Sequence, residues 1–228
     1  VMLLCQFAMG SCTGHALSHL GQWLNWLKTR QQVLISRMWC YLRAQHHSGF
    51  EGSDQGASIA GAVEAARQDG LPREETFPYP NPVHYATTIP PQAFVEARDH
   101  LVRSSSVLKS YADAQLWLGN GLGGIDIGID WVQGLANFRG EAIELQHLSG
   151  YTLGGHSVAL IALSTRVDEH GRNYAWLANS HGPQWGQGGW AEVAPAVIEH
   201  WIQSGAAFIG VSDMEQYTPR AIPVAWMV

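Results

Sequence analysis

A proline-rich stretch near the middle of the chain is the feature that most constrains its fold. Residues 72–91 carry six of the ten prolines in the sequence. Proline lacks a backbone N–H and its ring blocks the preceding helical turn, so neither a long helix nor a central strand runs through such a stretch. We therefore expect this segment to cross between two differently built parts of the chain.

The part before the prolines has helical periodicity. Between His15 and Arg30, leucines recur at spacings of three and four, as on one stripe of an amphipathic helix (Leu17, Leu20, Leu24 and Leu27). Ser11 or Thr13 is placed to cap the first turn. A second helix is predicted from Ser58 to Asp69, because Gly70 follows it where a left-handed C-terminal cap belongs.

The part after the prolines has the pattern of β-strands. Alternate isoleucines predict a buried strand (Ile125, Ile127 and Ile129). Segments 157–167 and 173–179 flank Asp168-Glu-His-Gly171, which has the composition of a hairpin turn. Helices early and strands late predict the α+β class, with two unlike halves.

Composition and charge exclude several classes of protein. Apolar residues make up 46% and charged residues 14% of the 228, which is the balance of a chain that folds. A formal net charge of −6 argues against nucleic acid or an anionic membrane as the main partner. No apolar run reaches the roughly 18 residues of a membrane-spanning helix. The start of the chain lacks the basic flank of a signal peptide and the three cysteines cannot all pair, so we lean towards the cytoplasm or a non-classical export route, with the compartment open.

Three polar residues have the types and the order of a nucleophilic acyl-transfer site. Cys12 lies where the first helix begins, and the dipole of a helix start favours a thiolate. His156 opens one strand of the predicted hairpin and Asn179 ends the other, so the return of the chain brings these two side chains together. A thiolate, an imidazole that pairs with it and an amide that orients the imidazole are the parts of such a site.

The motifs around these residues resemble those of the papain-like (C1-type) cysteine peptidase family. Gln6-Phe-Ala-Met-Gly-Ser-Cys12 is similar to the family's Gln-Gly-x-Cys-Gly-Ser-Cys segment, and Gly154-Gly-His156-Ser-Val to the segment around its histidine. The most specific match is Ala178-Asn179-Ser-His-Gly-Pro-Gln-Trp185-Gly-Gln-Gly-Gly-Trp190, which is similar to Asn-Ser-Trp-Gly-x-x-Trp-Gly-x-x-Gly-Tyr. Weaker similarities occur at 70–79 and 138–140. All follow the family order.

The resemblance implies a fold and a reaction. It implies two lobes, a helical lobe over 1–81 and a β-rich, barrel-like lobe over 82–228, with the active site in the cleft between them and a C-terminal tail that crosses back. Peptide bonds of a peptide or protein substrate would be hydrolysed through a thioester, without a metal or cofactor. Cys12 would be the nucleophile, His156 its base and later acid, Asn179 the residue that orients the imidazole, and Gln6 an oxyanion-hole donor beside the Cys12 backbone N–H.

The resemblance also suggests residues that bind substrate. Gly154 and Gly155 are small, and we expect their size to widen the pocket beside the nucleophile. In the family, the residue matching Trp185 packs on the leaving-group side. Gly56 ends a segment, Gly52-Ser-Asp-Gln-Gly56, that loosely resembles the glycine segment which binds the substrate backbone.

Several positions depart from the family pattern. His181 stands where the family usually has a tryptophan that shields the histidine–asparagine hydrogen bond from water. Thr13 replaces the tryptophan that often follows the nucleophile, and Met9 replaces a cysteine, so a family disulfide is absent. We predict Cys5 and Cys40 to be structural thiols, with a bridge between the two as the alternative.

Two further patterns are interpreted as structural. His15 and His19 have the spacing of a metal-binding pair on a helix, but no glutamate lies between them and no third ligand is evident, so we interpret them as surface or helix-packing residues. Residues 119–124 spell Gly-x-Gly-x-x-Gly, but a predicted helix precedes them and a strand follows, which is the reverse of a phosphate-binding loop.

Two other functions stay open at this stage. One is a non-catalytic binding module on a peptidase scaffold, for which His181 is the one indication. The other is an acyl-transfer enzyme, an amidase or a transpeptidase, which would use the same three residues. The sequence does not distinguish an endopeptidase from an exopeptidase, and it does not indicate the oligomeric state.

Overall fold

A computed structural model of the chain describes residues 1–85 and 88–212. Its helices are α1 (Cys12–Thr29), α2 (Arg37–Ser48), α3 (Ile59–Gln68), α4 (Pro91–Ala97), α5 (Tyr111–Gly119), α6 (Gln133–Ala136) and α7 (Pro195–Gln203). Its strands are β1 (Ser104–Val107), β2 (Gly124–Val132), β3 (Ala142–Ile143), β4 (Thr152–Val167), β5 (Asn173–Ala178), β6 (Trp190–Val193) and β7 (Ala207–Ser212). The predicted α+β class is confirmed.

The first helix, α1, is present and begins at Cys12, where the sequence predicted the helix start. Ser11 is its N-cap, but the Ser11 side chain does not cap the helix. Its hydroxyl is hydrogen-bonded instead to the hydroxyl of Tyr79 at 2.7 Å. The Tyr79 hydroxyl in turn donates to the carbonyl of Gln6 at 3.0 Å. The start of α1 is therefore connected to the proline-rich segment and to the chain before the helix.

The predicted helix over 58–69 is confirmed as α3. The Ser58 hydroxyl accepts from the Gly61 N–H at 2.9 Å, which satisfies a free donor of the first turn. Gly70 has φ +81°, the left-handed conformation expected of a C-terminal cap. A Cβ atom there would lie 1.9 Å from the carbonyl oxygen of Ala97, so the close approach of the end of α4 also requires glycine.

The strands form one seven-stranded sheet in the order β1-β7-β2-β4-β5-β6-β3. The alternate isoleucines of β2 are buried, and residues 168–171 turn the chain from β4 into the antiparallel β5, as predicted. The barrel-like form expected of this part is wrong. The sheet is open, because its edges are the four-residue β1 and the two-residue β3, which pair with β7 and β6 and not with each other in the described part of the chain.

Helices cover both faces of the sheet, which separates two apolar cores. Alternate residues of β4 face opposite ways, so Ala159 and Ile161 join the core under α1, α2 and α3, whereas Val158 and Leu160 join the core under α5 and α7. The division into lobes at residue 81 stays a prediction. The expected crossing of the C-terminal tail concerns residues 213–228, which lie outside the described residues.

Several smaller expectations are also tested by the fold. All three cysteines are free thiols, so the alternative Cys5–Cys40 bridge is not formed. His15 and His19 are fully buried inside the helix packing, which makes the surface interpretation wrong. The glycine loop 119–124 does run from α5 into β2. No helix in the ranges 1–85 and 88–212 is long and apolar enough to cross a membrane.

Candidate active site

A cavity of about 890 Å³ lies between the start of α1 and the sheet. Five of the predicted site residues line it: Gln6, Cys12, Gly56, Gly155 and His156. Gly154, Asn179 and Trp185 are not part of this lining. The cavity therefore brings together three of the four predicted catalytic residues, which come from the segment before α1, the first turn of α1 and the strand β4.

Cys12 is the first residue of α1 and is partly buried. Burial raises the pKa of its thiol, and the nearby carboxylate of Asp126 adds to that increase. The backbone N–H groups of Ser157 and Thr13 point to the sulfur and lower the pKa, but they do not outweigh burial. The thiolate expected from the helix start is thus not the favoured resting form, because removing the sulfur from water costs more than these donors return.

His156 and Asn179 are hydrogen-bonded, and their neighbours define the tautomer. The His156 Nε2 and Asn179 Oδ1 atoms are 2.8 Å apart. The same Oδ1 accepts from the backbone N–H of Ser180 at 2.8 Å. Because a backbone N–H only donates, this side-chain atom of Asn179 is the acceptor, and Nε2 must carry the proton of the neutral imidazole. The other nitrogen, Nδ1, is therefore the free base.

Burial also determines the charge of His156. It lowers the pKa of the imidazole to about 3, with contributions in the same direction from His181 and His15, and the Asn179 hydrogen bond opposes the shift only in part. Cys12 and His156 therefore each favour the neutral form. Burial therefore opposes the ion pair that the sequence predicts, and this ion pair stays a prediction. The sequence indicates where the two residues lie and not how dry their surroundings are.

Two aromatic rings pack on the imidazole of His156. The ring of Trp131 lies 4.4 Å from it and that of His181 lies 4.6 Å from it, centroid to centroid. These two rings also meet edge to face at 5.0 Å. Trp131 is buried near the end of β2, on the face that Ile129 shares. Sequence reasoning missed Trp131, although its place in the alternating pattern of β2 was a signal for burial.

The Gln6 side-chain amide is held in one orientation by two hydrogen bonds, and a third fixes its backbone. Its Oε1 accepts from the Ser180 hydroxyl at 2.6 Å, and its Nε2 donates to the Met9 carbonyl at 2.9 Å. The backbone N–H of Gln6 donates to the Ser180 carbonyl at 2.9 Å. One of the two Nε2 hydrogens is thus used, and the second is available to a ligand in the cavity.

The loop that ends at Gly56 is attached to the segment before Cys12. The Asp54 carboxylate accepts from the Gly10 N–H at 3.0 Å and from the Tyr41 hydroxyl at 2.6 Å. The Gly56 N–H donates to the same hydroxyl at 3.0 Å. Sequence reasoning missed Asp54 and Tyr41, because nothing in the sequence indicates that this loop contacts a residue more than forty positions earlier.

A buried carboxyl group lies behind the nucleophile. Asp126 on β2 is fully buried, and its Oδ1 accepts from the Ser157 hydroxyl at 2.9 Å. Its Oδ2 has no hydrogen-bond partner among the residues that the structure describes. Burial raises the pKa of Asp126 to about 7, because a charge at this position has neither water nor a cation beside it. Sequence reasoning also missed this group.

The remaining predicted binding residues lie apart from the main cavity. Trp185 is buried, and its indole N–H donates to the Leu135 carbonyl at 2.7 Å. It lines a second pocket of about 380 Å³ that also contains Phe7 and His181. Gly154 lies on the exposed start of β4, where an added Cβ atom would meet open space. No group of three potential metal ligands occurs in the described ranges.

The structure is similar to solved structures of cysteine proteases. Xylellain from Xylella fastidiosa has 19% sequence identity and a TM-score of 0.77, over 94% of this chain and 84% of xylellain. The ragweed pollen protease Amb a 11, in its proform, has 16% identity and a TM-score of 0.70, over 93% and 61%. Bromelain from Ananas comosus, in complex with the inhibitor E64, has 14% identity and a TM-score of 0.66, over 93% of both chains.

These comparisons establish the fold. The chain has the α+β fold of papain-like cysteine proteases, as the sequence motifs led us to expect. It spans less than two thirds of the ragweed proform. A scan of the sequence against protein-family models gave no match, and neither did a search of curated proteins.

Proposed function

We propose that this chain is a cysteine peptidase that hydrolyses peptide bonds through a thioester on Cys12. One observation carries the proposal: a thiol, a histidine whose tautomer leaves Nδ1 basic and an amide with a spare N–H meet at one cavity in a papain-like fold. Each group has a distinct part in acyl transfer, and no two of them are neighbours in sequence.

In the first half of the reaction the sulfur becomes acylated. The thiol of Cys12 gives its proton to Nδ1 of His156 as the sulfur attacks the substrate carbonyl carbon. The second Nε2 hydrogen of Gln6 and the backbone N–H of Cys12 stabilise the negative oxygen that forms. When the intermediate collapses, the C–N bond breaks and the proton on Nδ1 goes to the departing amine.

In the second half, water releases the acid. His156 removes a proton from the water as it attacks the thioester, the C–S bond breaks, and the proton returns to the sulfur. Asn179 contributes through its Oδ1, which keeps the proton of the neutral ring on Nε2 and so keeps Nδ1 turned to the reacting atoms. Removal of an oxyanion donor typically costs a factor of about 10² to 10³ in rate.

Labelling with an epoxide inhibitor, followed by peptide cleavage, tests the proposal. We expect one adduct per chain, on Cys12, together with cleavage of peptides from a mixed library. Cys12→Ser should lose both, whereas the matched variant Cys40→Ala should keep both, because the thiol of Cys40 is buried away from the cavity. Unchanged cleavage by Cys12→Ser would show that another group performs the chemistry.

The direction of the two pKa shifts adds a pH test. Because burial raises the pKa of Cys12 and lowers that of His156, the thiol ionises late, and its alkylation rate should rise from acid pH to beyond neutrality. A preformed ion pair would give a high rate that persists into acid pH. A flat profile below neutral pH would therefore contradict the neutral resting state.

The second candidate is a non-catalytic binding module on the same scaffold. It is favoured by one observation, that burial opposes charge on both Cys12 and His156. A module would bind peptides in the 890 Å³ cavity without an epoxide adduct and without cleavage. The labelling experiment therefore separates the two functions.

A further inference from the structure

The backbone of Phe7 has an unusual conformation. Its φ is +54°, in the left-handed region where a side chain crowds the following carbonyl. The other non-glycine residue with positive φ in the described residues is Arg30, which is the C-terminal cap of α1, where this conformation is ordinary. Phe7 ends no helix. In the similar family motif, glycine occupies its position.

Packing within the protein does not compensate for this strain. The side chain of Phe7 is 68% exposed, more than any other phenylalanine of the described chain. A bulky residue kept in a costly conformation while its apolar ring faces water suggests a use outside the folding of the chain.

The ring of Phe7 borders the second pocket, of about 380 Å³. Ala136 and the buried Trp185 supply further apolar lining, and the indole N–H of Trp185 is already bonded to the Leu135 carbonyl. The guanidinium of Arg139, at the same pocket, is bonded to the Phe138 carbonyl at 2.8 Å. Cys5, Ser180, His181 and Gln184 complete the lining of this pocket. The interaction that Phe7 itself adds is apolar contact.

The position of this pocket relative to Cys12 and His156 indicates which part of the substrate would occupy it. His156 must hand its proton to the departing amine, so the leaving part of the substrate lies along the imidazole. His181 packs on that ring at 4.6 Å and lines the second pocket. Gln6 lines the main cavity and its neighbour Phe7 lines the second pocket, so the oxyanion donor lies between the two.

We propose that Phe7 is a specificity-determining residue, and that the pocket it borders selects a large apolar residue directly after the scissile bond. The inference rests on the proposed peptidase function. The acyl part of the substrate occupies the 890 Å³ cavity, and the side chain of the leaving residue lies against the ring of Phe7.

Amine competition tests this directly, because an acceptor amine attacks the thioester from the place that the leaving amine vacates. In that step the amine nitrogen bonds to the acyl carbon, the C–S bond breaks, and His156 transfers the amine proton to the sulfur. The measured quantity is the ratio of aminolysis to hydrolysis for leucine amide and for glycine amide, with an ester that carries one fixed acyl group.

We expect the unchanged chain to prefer leucine amide over glycine amide by roughly tenfold, the discrimination typical of an apolar pocket. Phe7→Ala and Phe7→Gly should reduce that preference to about threefold or less. Leu116→Ala is the matched control, because Leu116 is 63% exposed on α5 and borders neither pocket. It should keep the full preference.

Stability separates a role in binding from a role in folding. Phe7→Gly relieves the left-handed strain, so its thermal midpoint should rise while the preference falls. A lower midpoint, or an unchanged preference in both variants, would overturn the inference. The absence of any epoxide adduct on Cys12 would refute the proposed peptidase function itself. An active enzyme that does not prefer leucine amide would refute only the role of Phe7.

Discussion

Acidification is expected to remove much of the stability of this protein, because three histidines are buried in neutral form. His15 and His19 on α1 and His156 on β4 each have a pKa lowered to about 3, with burial as the main cause. Both ring nitrogens of His19 and Nε2 of His15 have no hydrogen-bond partner among the described residues, and the backbone hydrogen bonds to His15 do not outweigh its burial. Unfolding exposes all three rings to water, where they bind protons below about pH 6.5.

The sign of each contribution follows from the direction of its shift. A histidine with a lowered pKa in the folded state contributes stability that is present above about pH 6.5 and is lost as the pH falls towards 3. Asp126 acts in the opposite direction. Its pKa is raised to about 7, so the stability that it contributes is present at low pH and is lost as the pH rises through 7.

The size of the effect comes from the number of protons that unfolding takes up. Each proton contributes about 1.4 kcal/mol per pH unit. Between about pH 4 and 5.5 the three histidines gain protons on unfolding and Asp126 releases one, so the net slope there is about 2.7 kcal/mol per pH unit. Acidification by two pH units would then lower the free energy of unfolding by about 5 kcal/mol, which is at the lower end of the range of domain stabilities.

Urea unfolding over a pH series measures this slope. In a Cys12→Ser background, which avoids self-cleavage, His19→Leu should reduce the slope by about 1.4 kcal/mol per pH unit, because one buried proton acceptor is gone. Leu116→Ala is the control, since Leu116 is exposed on α5, binds no proton and should leave the slope unchanged. A free energy of unfolding that is constant from pH 7 to 5 would refute the reasoning.

Three further predictions concern the site and the packing around it. Trp131→Ala should lower the kcat of the proposed peptidase by roughly tenfold, because the ring that packs on His156 at 4.4 Å is lost. Trp131→Phe should retain most of the activity, and equal activity in both variants would show that the ring does not position His156. Asp126→Asn should increase the alkylation rate of Cys12 at neutral pH several-fold, because the carboxylate of Asp126 raises the pKa of that thiol. An unchanged rate would show that the two groups are not coupled. Gly14→Ala should lower the free energy of unfolding in urea by about 2 kcal/mol or more, because the added Cβ would lie 2.7 Å from the Arg37 carbonyl. A smaller decrease would mean that α1 and α2 separate easily.

Local patterns in the sequence were sufficient for the elements that carry the site. The leucine spacing predicted α1, Ser58 and Gly70 predicted the ends of α3, and the alternating isoleucines predicted β2. The residue types of Cys12 and His156, in the order of a known family, led to the expected fold. Each of these signals depends on a few neighbouring residues or on a motif, and such information is present in the chain before it folds.

Tertiary structure alone decided how these groups behave. Contacts between distant segments produce the raised pKa of Cys12 and the lowered pKa of His156. They also leave Asp126 Oδ2 without a partner among the described residues, place the ring of Trp131 on the imidazole and leave the edges of the sheet open. The physical reason is that a pKa, the tilt of a ring or the closing of a sheet depends on which atoms replace water around it. Folding determines those neighbours, whereas local sequence determines only the helices and strands that carry them.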